Sequence, residues 1–100
     1  MGIIKEAYIS ETVTRHDVLP LSFLKKSAYT GSKRQLRYRM EKYQETEDAE
    51  TVLRLSWWTG PFAYEKTLSQ EITVSDHPFS DEGIDACIEE LNRVILEKGI

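Results

Sequence analysis

The chain has 100 residues, enough to bury one hydrophobic core and not two. Its 40% hydrophobic and 30% charged composition excludes a wholly disordered chain, and no stretch approaches the roughly 20 apolar residues of a membrane span. The net charge of -4 is unevenly distributed: between Val18 and Met40 stand Lys25, Lys26, Lys33, Arg34, Arg37 and Arg39 with no acid, a basic patch in an acidic body.

Residues 1–19 read as an N-terminal arm, with Ile3 to Ile9 a short strand or loosely held segment, and residues 20–100 as one α+β domain. Lys5 and Glu6 stand where a secretory signal would be apolar, and the lone Cys87 has no disulfide partner within the chain, so a cytoplasmic location is expected. Pro20 suits a first helical turn, Leu21, Leu24 and Ala28 share a helical stripe, and Thr30-Gly31 reads as a stop, which predicts a helix over 20–29. Phe23 falls off that stripe, so it is either exposed or covered by a second element.

Gln35 to Tyr43 alternates strictly, with Leu36, Tyr38 and Met40 on one side and Arg37, Arg39 and Glu41 on the other, as a half-buried strand must. The acidic run Glu45 to Glu50 predicts a hairpin loop. Thr51 to Trp58 follows as a second strand, with Leu53, Leu55 and Trp57 on one face, and Thr59-Gly60-Pro61 breaks it. A third strand is expected over 66–75, with Leu68, Ile72 and Val74 together, before a second breaker at Asp76-His77-Pro78. Ser80, followed by Asp81 and Glu82, predicts a helix N-terminus. Ile84, Cys87, Ile88, Leu91, Val94 and Ile95 then recur at helical spacing, with Asp85, Glu89, Glu90, Arg93 and Glu97 opposite and Lys98-Gly99 at the end. The expected architecture is a two-layer α-β-β-β-α arrangement, a three-stranded antiparallel meander packed by helices with a possible extra N-terminal strand.

The residues give little support to catalysis. Cys87 lies in the apolar stripe, where burial raises a thiol's pKa, and His16-Asp17 and Asp76-His77 read as turn and capping residues. One cysteine and two distant histidines have no metal-ligand spacing, the acidic run lacks a calcium loop's layout, and no glycine pattern cradles phosphate, so no cofactor is expected. Three surfaces remain. Lys25, Lys26, Lys33, Arg34, Arg37 and Arg39, interleaved with Tyr29, Tyr38 and Tyr43, suit a phosphate backbone, or else form a solvated strand face paired to acids such as Glu71. Trp57 and Trp58 must point to opposite faces, so Trp58 with Phe62 or Tyr64 forms an exposed aromatic patch unless the arm or the loop folds over it. Glu45, Glu47, Asp48 and Glu50 form an acidic surface.

The helix, three strands, helix order over Pro20 to Lys98 resembles the double-stranded-RNA-binding domain. That family carries a lysine cluster at the start of its last helix, where this chain has Ser80-Asp81-Glu82-Gly83-Ile84-Asp85. The stretch Leu21 to Tyr43 with Tyr29-Thr30-Gly31-Ser32, the Trp58 to Phe62 turn and Phe79-Ser80-Asp81-Glu82-Gly83 look like small uncharacterised accessory proteins of bacterial mobile elements and phages. In size and acidity the chain also resembles anti-CRISPR inhibitors, which often occupy nucleic-acid sites with their own carboxylates, a part that Glu45, Glu47, Asp48 and Glu50, or else Asp85, Glu89 and Glu90, would play. These resemblances imply a non-enzymatic module that binds a larger, nucleic-acid-handling protein through Glu45, Glu47, Asp48, Glu50, Trp58, Phe62 and Tyr64, as monomer or dimer and without a membrane. The alternative is direct nucleic-acid binding by the Lys25 to Arg39 surface.

Overall fold

The computed structural model describes residues 13–15, 18, 20–60 and 62–99. The strand expected at Ile3 to Ile9 and the His16-Asp17 pair lie outside the described residues. The fold is α+β. Helix α1 (Leu21–Leu24) leads into strands β1 (Tyr29–Lys33), β2 (Leu36–Tyr43), β3 (Val52–Thr59) and β4 (Thr73–Pro78), followed by helix α2 (Asp81–Lys98). Neighbouring strands are antiparallel and stand in the order β1-β2-β3-β4.

The alternation in β2 and β3 decides which face α2 covers. Leu36, Tyr38 and Met40 are fully buried, and the register sets Tyr38 against Trp57, Met40 against Leu55 and Lys42 against Leu53. Opposed residues share a face. Onto that face α2 lays Ile84, Cys87, Leu91, Val94 and Ile95, while Leu24, Val13 and Val18 join the same core. The ends of α2 follow the sequence: the Ser80 hydroxyl accepts from the Gly83 N–H at 3.2 Å, and Gly99 closes the helix at φ 67. Gly83 is required for space. A Cβ there would run into the backbone carbonyl of Pro78, so only glycine lets the first turn of α2 sit against the end of β4.

Two elements differ from expectation. The helix predicted over 20–29 stops at Leu24, and Tyr29–Lys33 becomes a strand joined to β2 through Arg34 and Gln35. One helical turn has few hydrogen bonds with which to repay its nucleation, whereas the hairpin gains a full ladder. Gly31, read as a helix stop, stands opposite Tyr38, whose ring lies 2.8 Å from where a Cβ would be. Phe23 remains 42% exposed. Among the described residues the sheet therefore has four strands, with the addition at 29–33.

The strand predicted over 66–75 forms later. Residues 64–66 and 69–71 make single 3-10 turns, and β4 runs Thr73–Pro78 through the supposed breaker Asp76-His77-Pro78. Proline is tolerated because β4 is an edge strand that ends on Pro78. Leu68 and Val74 do not share a buried face; they are 60% and 51% exposed.

Candidate functional site

The sheet face turned away from α2 carries Arg37, Arg39, Glu41, Arg54, Ser56 and Trp58, and the segment after Gly60 folds over part of it. Gly60 makes this reversal at φ 117, a conformation side chains disfavour. Trp58 is buried, donates its indole N–H to the Phe62 carbonyl at 2.9 Å and packs on Tyr64 with ring centroids 5.6 Å apart. The Thr67 hydroxyl holds the Ala63 carbonyl at 2.8 Å. The exposed aromatic patch expected of Trp58, Phe62 and Tyr64 is thus divided: Trp58 is enclosed, Tyr64 is half-buried as its cover, and Phe62 is 58% exposed.

Two of the six residues of the basic segment, Arg37 and Arg39, are tied into this covered face. Arg37 donates to the Gly60 carbonyl at 2.8 Å, and Arg39 pairs with Glu41 at 3.0 Å while its guanidinium lies 4.6 Å from the centre of the Tyr64 ring. Tyr38 is in the core, and Tyr43, like Tyr64, lies under a guanidinium, that of Arg54 at 3.5 Å. On this face Glu41 pairs with Arg39, and Asp76 pairs with Arg54 through two bonds of 2.8 and 3.1 Å. Bonding to Arg54 lowers the Asp76 pKa and raises that of Arg54. Lys33 is half-buried and Arg34 exposed at the β1–β2 turn, where Arg34 takes φ 58. Lys25 and Lys26 are exposed just after α1.

The acidic loop between β2 and β3 is ordered by its neighbours rather than by its charges. The Gln44 side chain donates to the carbonyls of Glu47 at 3.0 Å and Ala49 at 2.8 Å, and the Ala49 N–H reaches Thr46 at 3.1 Å. Glu45, Glu47, Asp48 and Glu50 are all exposed and form no ion pair among the described residues. Because Val52 pairs with Pro78 just before α2, the Asp81 and Glu82 end of that helix lies at the same end of the sheet. Arg15 neutralises part of that end through Asp81 at 3.2 Å and Asp85 at 2.9 Å.

A polar cluster not anticipated from the sequence sits between α2 and β4. Glu90, assigned to the solvent side of the last helix, has a side chain only 14% exposed. It accepts from Trp57 Nε1 at 3.0 Å and Ser75 Oγ at 2.9 Å, with His77 Nε2 at 3.2 Å. The spacing Gly83, Cys87, Glu90, Val94 places Glu90 on a row of otherwise buried residues, and that periodicity was the available signal. The cluster has the residue types of a hydrolase triad with the wrong connectivity. Ser75 Oγ and Glu90 both approach the same His77 nitrogen, each at 3.2 Å, whereas a relay needs the carboxylate on one ring nitrogen and the hydroxyl on the other. Cys87 is fully buried, and desolvation, followed by the nearby Glu90 charge, pushes its thiol up to about 12.

Among the described residues, no group of three His, Cys, Asp or Glu is placed to hold a metal ion, and no helix is long and apolar enough to cross a membrane. No family model, curated protein or solved structure matches the chain.

Proposed function

We propose that the protein is a non-enzymatic binding module, an inhibitor or accessory factor that engages a larger, nucleic-acid-handling protein through the acidic β2–β3 loop. One observation carries this reading: Glu45, Glu47, Asp48 and Glu50 stand exposed on a loop whose backbone is held by Gln44, without a cation among the described residues to neutralise them. Four carboxylates fixed near one another repel, and a complementary basic surface on a partner relieves that repulsion while steering association. Phe62, the exposed aromatic of the 60–67 segment, extends the surface with apolar area. Anti-CRISPR inhibitors, which the chain resembles in size and acidity, often present carboxylates in this way to a partner's nucleic-acid groove.

The test is association with a purified basic partner across a salt series, comparing the natural chain with a variant carrying Glu47→Lys, Asp48→Lys and Glu50→Lys. Binding should weaken by at least about tenfold in the variant and fall with salt, while its thermal midpoint stays unchanged. Equal affinity for the two proteins would rule out the loop as the contact surface.

A further inference from the structure

We propose a second site that goes beyond the acidic-loop reading and shares no residue with it: a depression that binds a phosphate group. It has a volume of about 310 Å³, lies where the chain leaves α1 and crosses the edge of β2, and is lined by Lys25, Lys26, Ser27, Arg39, Glu41 and Lys42 over the buried Leu24. The topology creates it. Pairing of β1 with β2 ends at Tyr29 opposite Met40, while β2 continues to Tyr43, so Glu41, Lys42 and Tyr43 form a strand edge that β1 does not cover. Residues 25–28 pass that edge and bring two lysines to it.

The charges favour an anion. Glu41 is already engaged by Arg39 at 3.0 Å. Lys25, Lys26 and Lys42 are exposed and form no ion pair among the described residues. Three ammonium groups gathered around one concavity, in a protein whose net charge is -4, raise one another's energy until an anion sits between them. Lysine serves phosphate as a mobile point charge, Ser27 adds a neutral hydroxyl donor, and Arg39, held by Glu41 and Tyr64, offsets the one carboxylate in the lining. The volume lies at the small end of ligand pockets, which suits one or two phosphoryl groups. A free phosphorylated molecule and a nucleic-acid backbone both carry this group.

The experiment titrates the full chain with inorganic phosphate and with pyrophosphate at constant ionic strength, following backbone amide signals and the thermal midpoint. Saturable shifts are expected at Lys26, Ser27 and Lys42, with pyrophosphate binding about tenfold tighter than phosphate and raising the midpoint as a ligand of the native state must. A Lys26→Gln, Lys42→Gln variant should keep its midpoint in chloride buffer, because these exposed lysines form no ion pair among the described residues, and should lose the pyrophosphate-induced rise. Lys66→Gln, in the covering segment and outside the lining of the depression, should retain it. A short single-stranded oligonucleotide that displaces pyrophosphate from the same amides assigns the phosphate to a polymer backbone, and failure to displace it assigns a free anion. Absence of saturable shifts at these residues, or an equal loss in the Lys66→Gln control, overturns the site.

Discussion

The two faces of the sheet are sealed by different physics. Beneath α2 the seal is aliphatic: Leu36, Met40, Leu53 and Leu55 meet Ile84, Leu91 and Ile95, all taken from water, with polar groups, the Glu90 cluster and Asn92 bonded to the Val13 backbone, at the border. On the opposite face a short loop segment performs the task with one large aromatic, Trp58, fixed by the Phe62 carbonyl, and with arginines clamped by a carbonyl, a carboxylate and a ring. A helix can offer a continuous apolar stripe; a loop of single 3-10 turns cannot, so it depends on a few specific bonds to one buried residue.

That contrast can be broken most sharply at Trp58. Trp58→Ala should cost about 3–5 kcal/mol, as much as emptying a site under α2, because it removes both the indole and the anchor of the covering loop. Denaturant unfolding measures the loss, and Cys87 reports it independently from the other face. With its thiol pushed up to about 12 and no exposure, Cys87 should react with a thiol reagent only through opening of the structure. Labelling of the variant should therefore accelerate by at least about a hundredfold, in step with the lost stability. A cost below about 1 kcal/mol would show that the loop seals nothing.

Next in size is the helix side. Gly83→Ala should destabilise by about 1–3 kcal/mol, since the new methyl meets the Pro78 carbonyl and α2 must shift off β4. Ala86, on the same helix and half-buried, provides the control: Ala86→Ser should change the midpoint little. Arg39→Ala, which loses a partly exposed ion pair and the Tyr64 contact together, should cost about 1 kcal/mol, against a negligible effect of Arg93→Ala on the exposed side of α2.

The smallest effect concerns pH. Bonding to Arg54 lowers the Asp76 pKa in the folded state, so its contribution is complete above the unfolded value and lost as pH falls through the folded one. Asp76 is 42% exposed, so solvent screening keeps that contribution below about 1 kcal/mol. Asp76→Asn should accordingly be slightly less stable than the natural chain at neutral pH, and the two unfolding midpoints should converge in acid below the ordinary carboxylate range. A constant difference down to that pH would assign the Asp76 effect to packing instead of charge.

Where a residue's own neighbours in the chain decide its state, the sequence is sufficient. Strict alternation fixes which side of β2 holds Leu36, Tyr38 and Met40, and helical spacing with Ser80 and Gly99 at its ends fixes α2, including the burial of Cys87. The exposure of Glu45 to Glu50 follows from their crowding of like charge. What depends on a distant partner required the tertiary structure. Tyr29–Lys33 is a strand because β2 lies beside it, and Asp76 to Pro78 continue β4 because an edge tolerates proline there. Trp58 is buried because a loop several residues later returns to cover it, Glu90 is inside because Trp57, Ser75 and His77 reach it from the sheet, and Lys42 joins Lys25 and Lys26 only because the chain crosses an uncovered strand edge. Periodicity reveals which residues share a face; what covers that face is set by loop paths and long-range hydrogen bonds, whose energies depend on contacts that no local pattern encodes.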